Sequence, residues 1–475
     1  MTGRPNIILF LTDDHGAWAM GCYGNSEVQS PVLDGLAAEG VRFANAFTPS
    51  PVCSPARACL LTGRTPSQVG IHDWLQESEP EYGDPDWLAR EITLPELLQS
   101  VGYHCGLSGK WHLGRSHVRP RGFDWYFGLP RWQGEHVESY TYLYDDKPLT
   151  LSGSKTQFIT DFALEFLETT PTGRPFFLNV GYIATHSPYA RQEPELLALY
   201  EGATFRDIPE YVPHPWHKNE DFPQGDAFTR DDLLRRYTGY YAAVTGMDRG
   251  VGRIVAWLRE RGQLDNTLIV YTSDHGLALG HNGFWGKGNS TRPLNMYETS
   301  LRVPLILHWP REFARGHVVG HCVDHYDTFQ TICDVAGVGA QGSASWARPA
   351  DTYPGRSVRP LARGEELRDW RETRYGEYGD LRMTRTERYK LVRRYPDGPD
   401  DLFDLLHDPE ERINLAGRPE YRELRAALLA DLDAFYARYE DPAKSGLRVK
   451  ALRQHNESSE AWRDGRREAR GLQVY

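Results

Sequence analysis

"PNIILFLTDDHG", Pro5 to Gly16, carries an unbroken apolar run that breaks directly into two aspartates and a histidine. A run so short and so rich in Ile and Leu reads as a fully buried strand rather than an amphipathic one. The same texture recurs at "FFLNVGYI" (176–183), "TLIVYTS" (267–273), "VPLILHW" (303–309) and, more weakly, "YHCGLS" (103–108). Between these runs lie well-marked helix starts. "SPVLDGLAAEG" has Ser30 as N-cap, Pro31 in the first turn and Gly40 as stop; "TLPELLQSVG" has Thr93 with Glu96 three residues on, then Gly102. Buried strands alternating with capped helices predict an α/β fold, a large mostly parallel sheet flanked by helices.

From about Trp346 the sequence turns Arg-rich and alternating, "RYGEYGDLRMTRTERYKLVRRYPDG", which predicts a small antiparallel sheet with one wet face. "PEYRELRAALLADLDAFYARY" (419–439) has helical apolar spacing and is expected to pack on that sheet. The expected organisation is a large α/β domain over 1–345, a smaller α+β domain over 346–442 and a polar C-terminal arm over 443–475.

The 475 residues are 40% hydrophobic and 25% charged, ordinary for a globular chain, and the formal net charge is -11. That balance disfavours nucleic acid and other densely anionic polymers as partners. Six cysteines (22, 53, 59, 105, 322, 333) form no C-x-x-C pair, which fits a reducing compartment. The N-terminus lacks signal-peptide layout and a membrane span, so the expectation is a cytoplasmic protein without a membrane partner; an export segment preceding Met1 would change this to the periplasm or secretion. Asn289-Ser-Thr and Asn456-Glu-Ser match the glycosylation pattern, which is short enough to arise by chance. Oligomeric state is not legible.

In open α/β sheets ligands collect at the carboxyl ends of the parallel strands. Four runs end in polar groups: Asp13 and Asp14 in "TDDHG", Asp274 and His275 in "SDHG", His186 in "ATHSP", and Lys110 and His112 in "SGKWHLG". Lys287 stands in a further glycine-flanked segment, "GFWGKGNSTRP". Three carboxylates in one place repel one another unless a cation neutralises them, which makes a hard divalent ion the economical reading. Calcium is the first choice, with Mn²⁺ and Mg²⁺ as alternatives because His275 brings a nitrogen donor. Taken singly, each residue also has an ordinary reading: the aspartates as caps, the histidines as hydrogen-bonded residues, the lysines as solvated charges.

One further stretch, "PVCSPARACLLTGR" (Pro51–Arg64), puts Cys53 at a helix start with Pro55 in the first turn and Gly63 as stop. Cys-x-Pro-x-basic is expected about 0.04 times by chance in a chain of this composition. A thiol at a positive helix terminus has a lowered pKa and can serve as nucleophile or metal ligand; the alternative is a buried structural cysteine.

"CSPARACLLTGR" resembles the signature of the formylglycine-dependent sulfatases of the alkaline phosphatase superfamily, and the resemblance extends to "PNIILFLTDDHG", "GKWHLG", "THSPY", "TSDHG", "GKGN" and "DLFDLLHDPEERINLA". It implies conversion of Cys53 to formylglycine (3-oxoalanine) by a maturing enzyme. It implies a metal held by Asp13, Asp14, Asp274, His275 and the converted Cys53, with Arg57 steadying that side chain. Lys110, His112, His186 and Lys287 would surround the sulfate. Many members have Asn where this chain has His275; the Asp-His form also occurs in choline-sulfatase-like enzymes and phosphonate monoester hydrolases, which generally lack the Lys-x-His pair present here.

The implied reaction is hydrolysis of a small-molecule or carbohydrate sulfate ester. An aldehyde hydrate carries two hydroxyls: one attacks sulfur as the alcohol departs, and deprotonation of the other lets the carbon–oxygen bond break and sulfate leave. His186 or Lys287 would protonate the leaving alkoxide and His112 would act as base, roles that can be exchanged. The alternatives are phosphonate monoester or phosphodiester hydrolysis and, with an unconverted Cys53, anion binding without turnover. Trp111, Trp132, Trp285 and Arg292 neighbour these motifs and are either recognition elements or pocket wall.

Overall fold

The computed structural model describes residues 4–77, 83–131, 139–189, 192–210, 212, 214–217, 230–338 and 349–456. The strands in chain order are Asn6–Thr12 (β1), Val41–Phe47 (β2), His104–Gly109 (β3), Trp125–Gly128 (β4), Tyr140–Tyr144 (β5), Lys147–Leu151 (β6), Phe176–Gly181 (β7), Thr267–Ser273 (β8), the short ribbon Ala278–Leu279 (β9) and Trp285–Gly286 (β10), Leu305–His308 (β11) and His317–Asp324 (β12). All but the ribbon join one ten-stranded sheet in the order β12-β2-β11-β8-β1-β7-β3-β4-β5-β6.

β1 shows why its sequence does not alternate. Ile7, Leu9 and Leu11 enter one hydrophobic core, while Ile8 and Phe10 enter a second on the opposite face with Phe166 and Met247. Both faces are dry, and each buried side chain of this size contributes roughly 1.5–3 kcal/mol. β8, β1, β7 and β3 are mutually parallel neighbours, as the sequence predicts. "VPLILHW" differs: β11 runs antiparallel to both β8 and β2. Strands β2, β6 and β12 carry no apolar run because Arg42 and Asn45, Lys147, and His317 and His321 interrupt them, and β4 and β5 are only four and five residues long.

The C-terminal sheet is an antiparallel meander of Arg374–Tyr378 (β13), Leu381–Arg385 (β14), Tyr389–Arg394 (β15) and Asp401–Asp404 (β16). The helix Arg422–Tyr439 packs Leu432 and Phe435 against Tyr375, and Leu428 against Leu391 and Leu402. The expected wet face is a correction: the alternating basic residues Arg374, Arg382, Arg385, Lys390 and Arg394 are buried. They pair with Asp324 and Asp327, with Glu377, with Glu298 and with Asp401. Buried acids of the catalytic domain neutralise Arg374, Arg385 and Lys390, while Arg382 and Arg394 pair within the C-terminal sheet itself, with Glu377 and Asp401. On the face of Arg374, Arg385, Lys390 and Arg394, the residues Tyr378, Leu381, Met383 and Val392 meet Phe47, Val52 and Met296, whereas Arg382 lies on the opposite face over the Tyr436 ring of the helix.

Residues 443–456 of the expected arm fold back as a short 3-10 segment, Gly446–Ala451, with Val449, His455 and Asn456 buried; the rest of that arm lies outside the described residues. The acceptor Asn456 of the second glycosylation match is therefore enclosed. None of the six cysteines is paired in a disulfide. Among the described residues no helix is long and apolar enough to cross a membrane.

Candidate active site

β8, β1, β7 and β3 lie side by side, and each hands its next few residues to one place. β1 is followed by Asp13 and Asp14, β8 by Asp274 and His275, β3 by Lys110 and His112, and β7 by the turn to His186. A left-handed residue, Asp14 at φ 61°, turns the chain directly after Asp13, and its carbonyl is fixed by Thr185 Oγ1 (2.9 Å) and Tyr240 Oη (2.8 Å). Where β3 meets β7 the backbones touch. A Cβ added at Gly109, itself at φ 114°, would lie 2.1 Å from the Gly181 carbonyl, and one at Gly181 2.5 Å from that of Lys110. Only glycine fits this approach.

Cys53 is the first residue of the wholly buried helix Cys53–Thr62, which closes on Gly63 at φ 67°. Its Sγ lies 3.4 Å from Asp13 Oδ1, 3.3 Å from His275 Nε2 and 3.2 Å from Lys287 Nζ. Lys287 Nζ also donates to Asp14 Oδ1 at 2.6 Å, and Lys110 Nζ makes a short ion pair with Asp13 Oδ2. Arg57 Nε donates to Asp274 Oδ2 at 2.8 Å, and its Nη2 is 3.8 Å from Asp13 Oδ2. His186 Nε2 stands 3.9 Å from Asp14 Oδ2, with Nδ1 bonded to the Ser187 carbonyl. All residues expected at the site thus converge, except that His112 meets it through Leu75 rather than through the carboxylates: its Nε2 is 2.9 Å from the Leu75 carbonyl.

The electrostatics follow from that packing. Burial alone would raise the Asp13 carboxyl, but Lys110, His186, Arg57 and Lys287 hold it well below the ordinary carboxylate range. Burial and Asp13 would raise the Cys53 thiol, but Lys110, Lys287 and His275 bring it down. Burial would depress His275, yet Asp274, Cys53 and Asp14 hold its imidazole up at about 9. At His112 burial, followed by Lys110, outweighs the raising influence of Glu77 and Asp13 and pushes the imidazole down to about 3. His112 is therefore neutral. With Nε2–H donated to Leu75, its buried Nδ1 keeps the lone pair and has no hydrogen-bond partner.

Two family models match this chain: Sulfatase over residues 5–338 and N-sulphoglucosamine sulphohydrolase, C-terminal, over 291–438. The chain belongs to the sulfatase family. It is a sulfuric ester hydrolase, consistent with the relatives it resembles. The N-acetylglucosamine-6-O-sulfatase of Bacteroides thetaiotaomicron is 29% identical, covering 93% of this chain and 88% of that protein. The human N-acetylgalactosamine-6-sulfatase is 31% identical over 70% of this chain and 62% of its own length. A solved structure in complex with its substrate D-glucosamine-2-N,6-O-disulfate superposes with a TM-score of 0.77 at 27% identity, covering 93% of this chain and 99% of that one.

Sulfatases generally use a divalent metal and a formylglycine, and the donors of this sulfatase suit such an ion. Among the described residues Asp13, Asp14, Cys53 and His275 each offer a ligand atom, all within 4.8 Å of one another. His275 Nδ1 is engaged by the Gly276 carbonyl, which turns Nε2 to the cluster. Asp274 is adjacent, with Oδ1 3.6 Å from His275 Nε2, but it lies outside that group of four. Its Oδ2 serves Arg57, and its Oδ1 accepts the backbone N–H of His275 (2.8 Å) and Asp14 (3.3 Å).

Sequence reading missed His325, whose Nε2 reaches the Asp274 carbonyl at 3.0 Å. The signal is an Asp-His pair at a strand end, Asp324 closing β12 and His325 opening the next helix, but "HVVGHCVD" lacks the unbroken apolar texture that marks a buried strand. Of the recognition candidates, Trp111 is buried edge-on to Phe123 and Trp285 is buried against Tyr237 at 5.6 Å, so both are wall. Arg292 is half-buried, with Nη1 on the carbonyls of Asn289 and Thr291. Trp132 lies outside the described residues.

Proposed function

We propose that this sulfatase hydrolyses carbohydrate O-sulfate esters, using Cys53 converted to formylglycine by a separate maturing enzyme and one divalent ion, calcium by first choice. The observation that carries the substrate class is the likeness, over nearly the whole of both chains, to a structure holding D-glucosamine-2-N,6-O-disulfate. Asp13, Asp14, His275 and the side chain at 53 would hold the ion, with Asp274 beside them; Sγ marks where a hydroxyl oxygen of the converted residue would lie. When bound, the ion supplies charge that acidifies that hydroxyl and draws in the sulfate oxygens.

The remaining work falls to this chain's own side chains. Lys110 and Lys287 flank position 53 and offer ammonium donors to the sulfate. Arg57 fixes Asp274 and keeps the local charge positive enough for a monoanionic ester. His112 Nδ1 is the proton acceptor that allows sulfate to leave, and His186 Nε2 or Lys287 Nζ delivers a proton to the departing alcohol.

The test pairs mass spectrometry of the Cys53 peptide with kcat/KM for 4-nitrophenyl sulfate, N-acetylglucosamine 6-sulfate, choline sulfate and a phenylphosphonate monoester. Formylglycine at 53 with preference for the sulfated sugar is expected. Preference for the phosphonate would assign the chain to phosphonate chemistry, and an unmodified thiol in fully active protein would remove the aldehyde from the reaction.

A further inference from the structure

The stretch His72–Glu77 has no regular secondary structure, and His72, Asp73 and Leu75 within it are buried. The middle residue, Leu75, faces the active site with both of its peptide groups. Its N–H donates to Ser54 Oγ at 3.0 Å, the residue after Cys53, and its carbonyl accepts from His112 Nε2 at 2.9 Å. One residue therefore touches the neighbour of the nucleophile position and sets the tautomer of the histidine read as base.

The groups on either side of Leu75 are held by the far end of the chain. Asn456 Nδ2 donates to the Trp74 carbonyl and the same side chain bonds the Asp73 carboxylate. The His455 carbonyl accepts the Gln76 N–H at 3.0 Å, and His455 Nε2 accepts the His72 N–H at 3.1 Å. His455 is itself fixed by stacking on Trp87 at 4.6 Å. Upstream, the Lys444 carbonyl accepts from His72 Nε2 at 2.7 Å and Gly446 N–H donates to Ser67 Oγ at 2.9 Å. A loop without its own ladder takes its geometry from whatever pairs its peptide groups; here His455 and Asn456 pair those of His72, Trp74 and Gln76, while Ser54 and His112 pair those of Leu75.

We infer that His455 and Asn456 are positioning residues of the reaction: through Trp74 and Gln76 they hold Leu75, and through Leu75 they hold both Ser54 at the nucleophile helix and His112. The inference rests on the roles given to Cys53 and His112 above. A polar C-terminal segment is thereby part of the catalytic apparatus without touching substrate.

The experiment uses the full chain carrying Asn456→Ala and a chain stopped after Gln454, with the converted fraction at Cys53 measured by mass spectrometry and rates expressed per converted site. Expected is a fall in kcat for 4-nitrophenyl sulfate of about 10- to 100-fold with KM within about twofold, in protein of near wild-type thermal midpoint. Asn456→Ala combined with Ser54→Ala should be clearly non-additive, since both act on Leu75. A folded, converted Asn456→Ala enzyme with wild-type kcat overturns the inference, as does strict additivity; should the shortened chain not fold, the point variant decides alone. His112→Gln with a wild-type rate would instead overturn the base role, leaving the Asn456 result to speak for the Ser54 contact.

Discussion

Arg57 and Asp274 form an ion pair, Nε to Oδ2 at 2.8 Å, with both side chains at most 1% exposed. Neither charge is tolerable there alone, because removing one partner of a buried pair strands the other at a cost of about 3–5 kcal/mol. Arg57→Met should therefore lower unfolding stability by an amount of that order in chelator-treated protein, as well as depress turnover. Equal stability of variant and parent in urea titration would show that Asp274 finds another partner.

Clustered donors make a prediction about ions. Calcium, manganese or magnesium at about 100 times its Kd should stabilise the protein by about 2.7 kcal/mol, read as a rise in thermal midpoint. Asp14→Asn should remove most of that rise. Were no ion to shift the parent, Lys287 and Lys110 would be the resident counter-charges of the carboxylates.

His112 is expected to be needed as a neutral acceptor, since general base catalysis contributes roughly 10²–10⁴-fold. His112→Gln keeps a donor for the Leu75 carbonyl but not the lone pair at Nδ1, so kcat should fall within that range. A stable intermediate, with sulfate still attached at position 53, should build up and be visible by intact mass. A rate loss without such build-up would place His112 before the sulfuryl transfer.

Asp248 gives a pH dependence away from the site. Burial raises its carboxyl to about 7 although it accepts the N–H groups of Val32 (3.1 Å) and Leu33 (2.8 Å). A carboxyl raised above its unfolded value of about 4 contributes stability below that pH and loses it as pH climbs through 7. The difference in unfolding free energy between parent and Asp248→Asn should therefore shift in favour of the variant from pH 4 to 7. A difference constant with pH would show that the carboxyl is ionised throughout.

Steric limits at β3 and β7 yield a fifth test. Gly109→Ala demands a Cβ 2.1 Å from the Gly181 carbonyl at φ 114°, strain on the order of 1–3 kcal/mol or more. Poor folding or a large loss of stability is expected. A variant as stable as the parent would mean that the two strand ends can part.

Much of the site was legible because its chemistry sits where the strand pattern breaks. Asp13, Asp14, Asp274 and His275 interrupt runs that are otherwise Ile, Leu and Val, and those runs are unmixed because both sheet faces are dry. What stayed hidden depended on counter-charges from elsewhere. Nothing within "RYGEYGDLRMTRTERYKLVRR" says that Asp324, Asp327 and Glu298 wait to meet it, so its arginines looked solvated. Likewise the link from Asn456 to Trp74 spans the chain and leaves no local periodicity to read.

The buried basic face of the C-terminal sheet limits how this enzyme can be taken apart. Arg394 Nε bonds the Leu294 carbonyl and Lys390 Nζ that of Met296, so the segment following Lys287 is braced by a second folding unit. Exchanging that unit for one from another sulfatase would leave several acids without neutralising partners and the lysine loop without its braces. Modular recombination at the junction is therefore a poor route to new specificity, and changes in the loops before Lys287 are the better one.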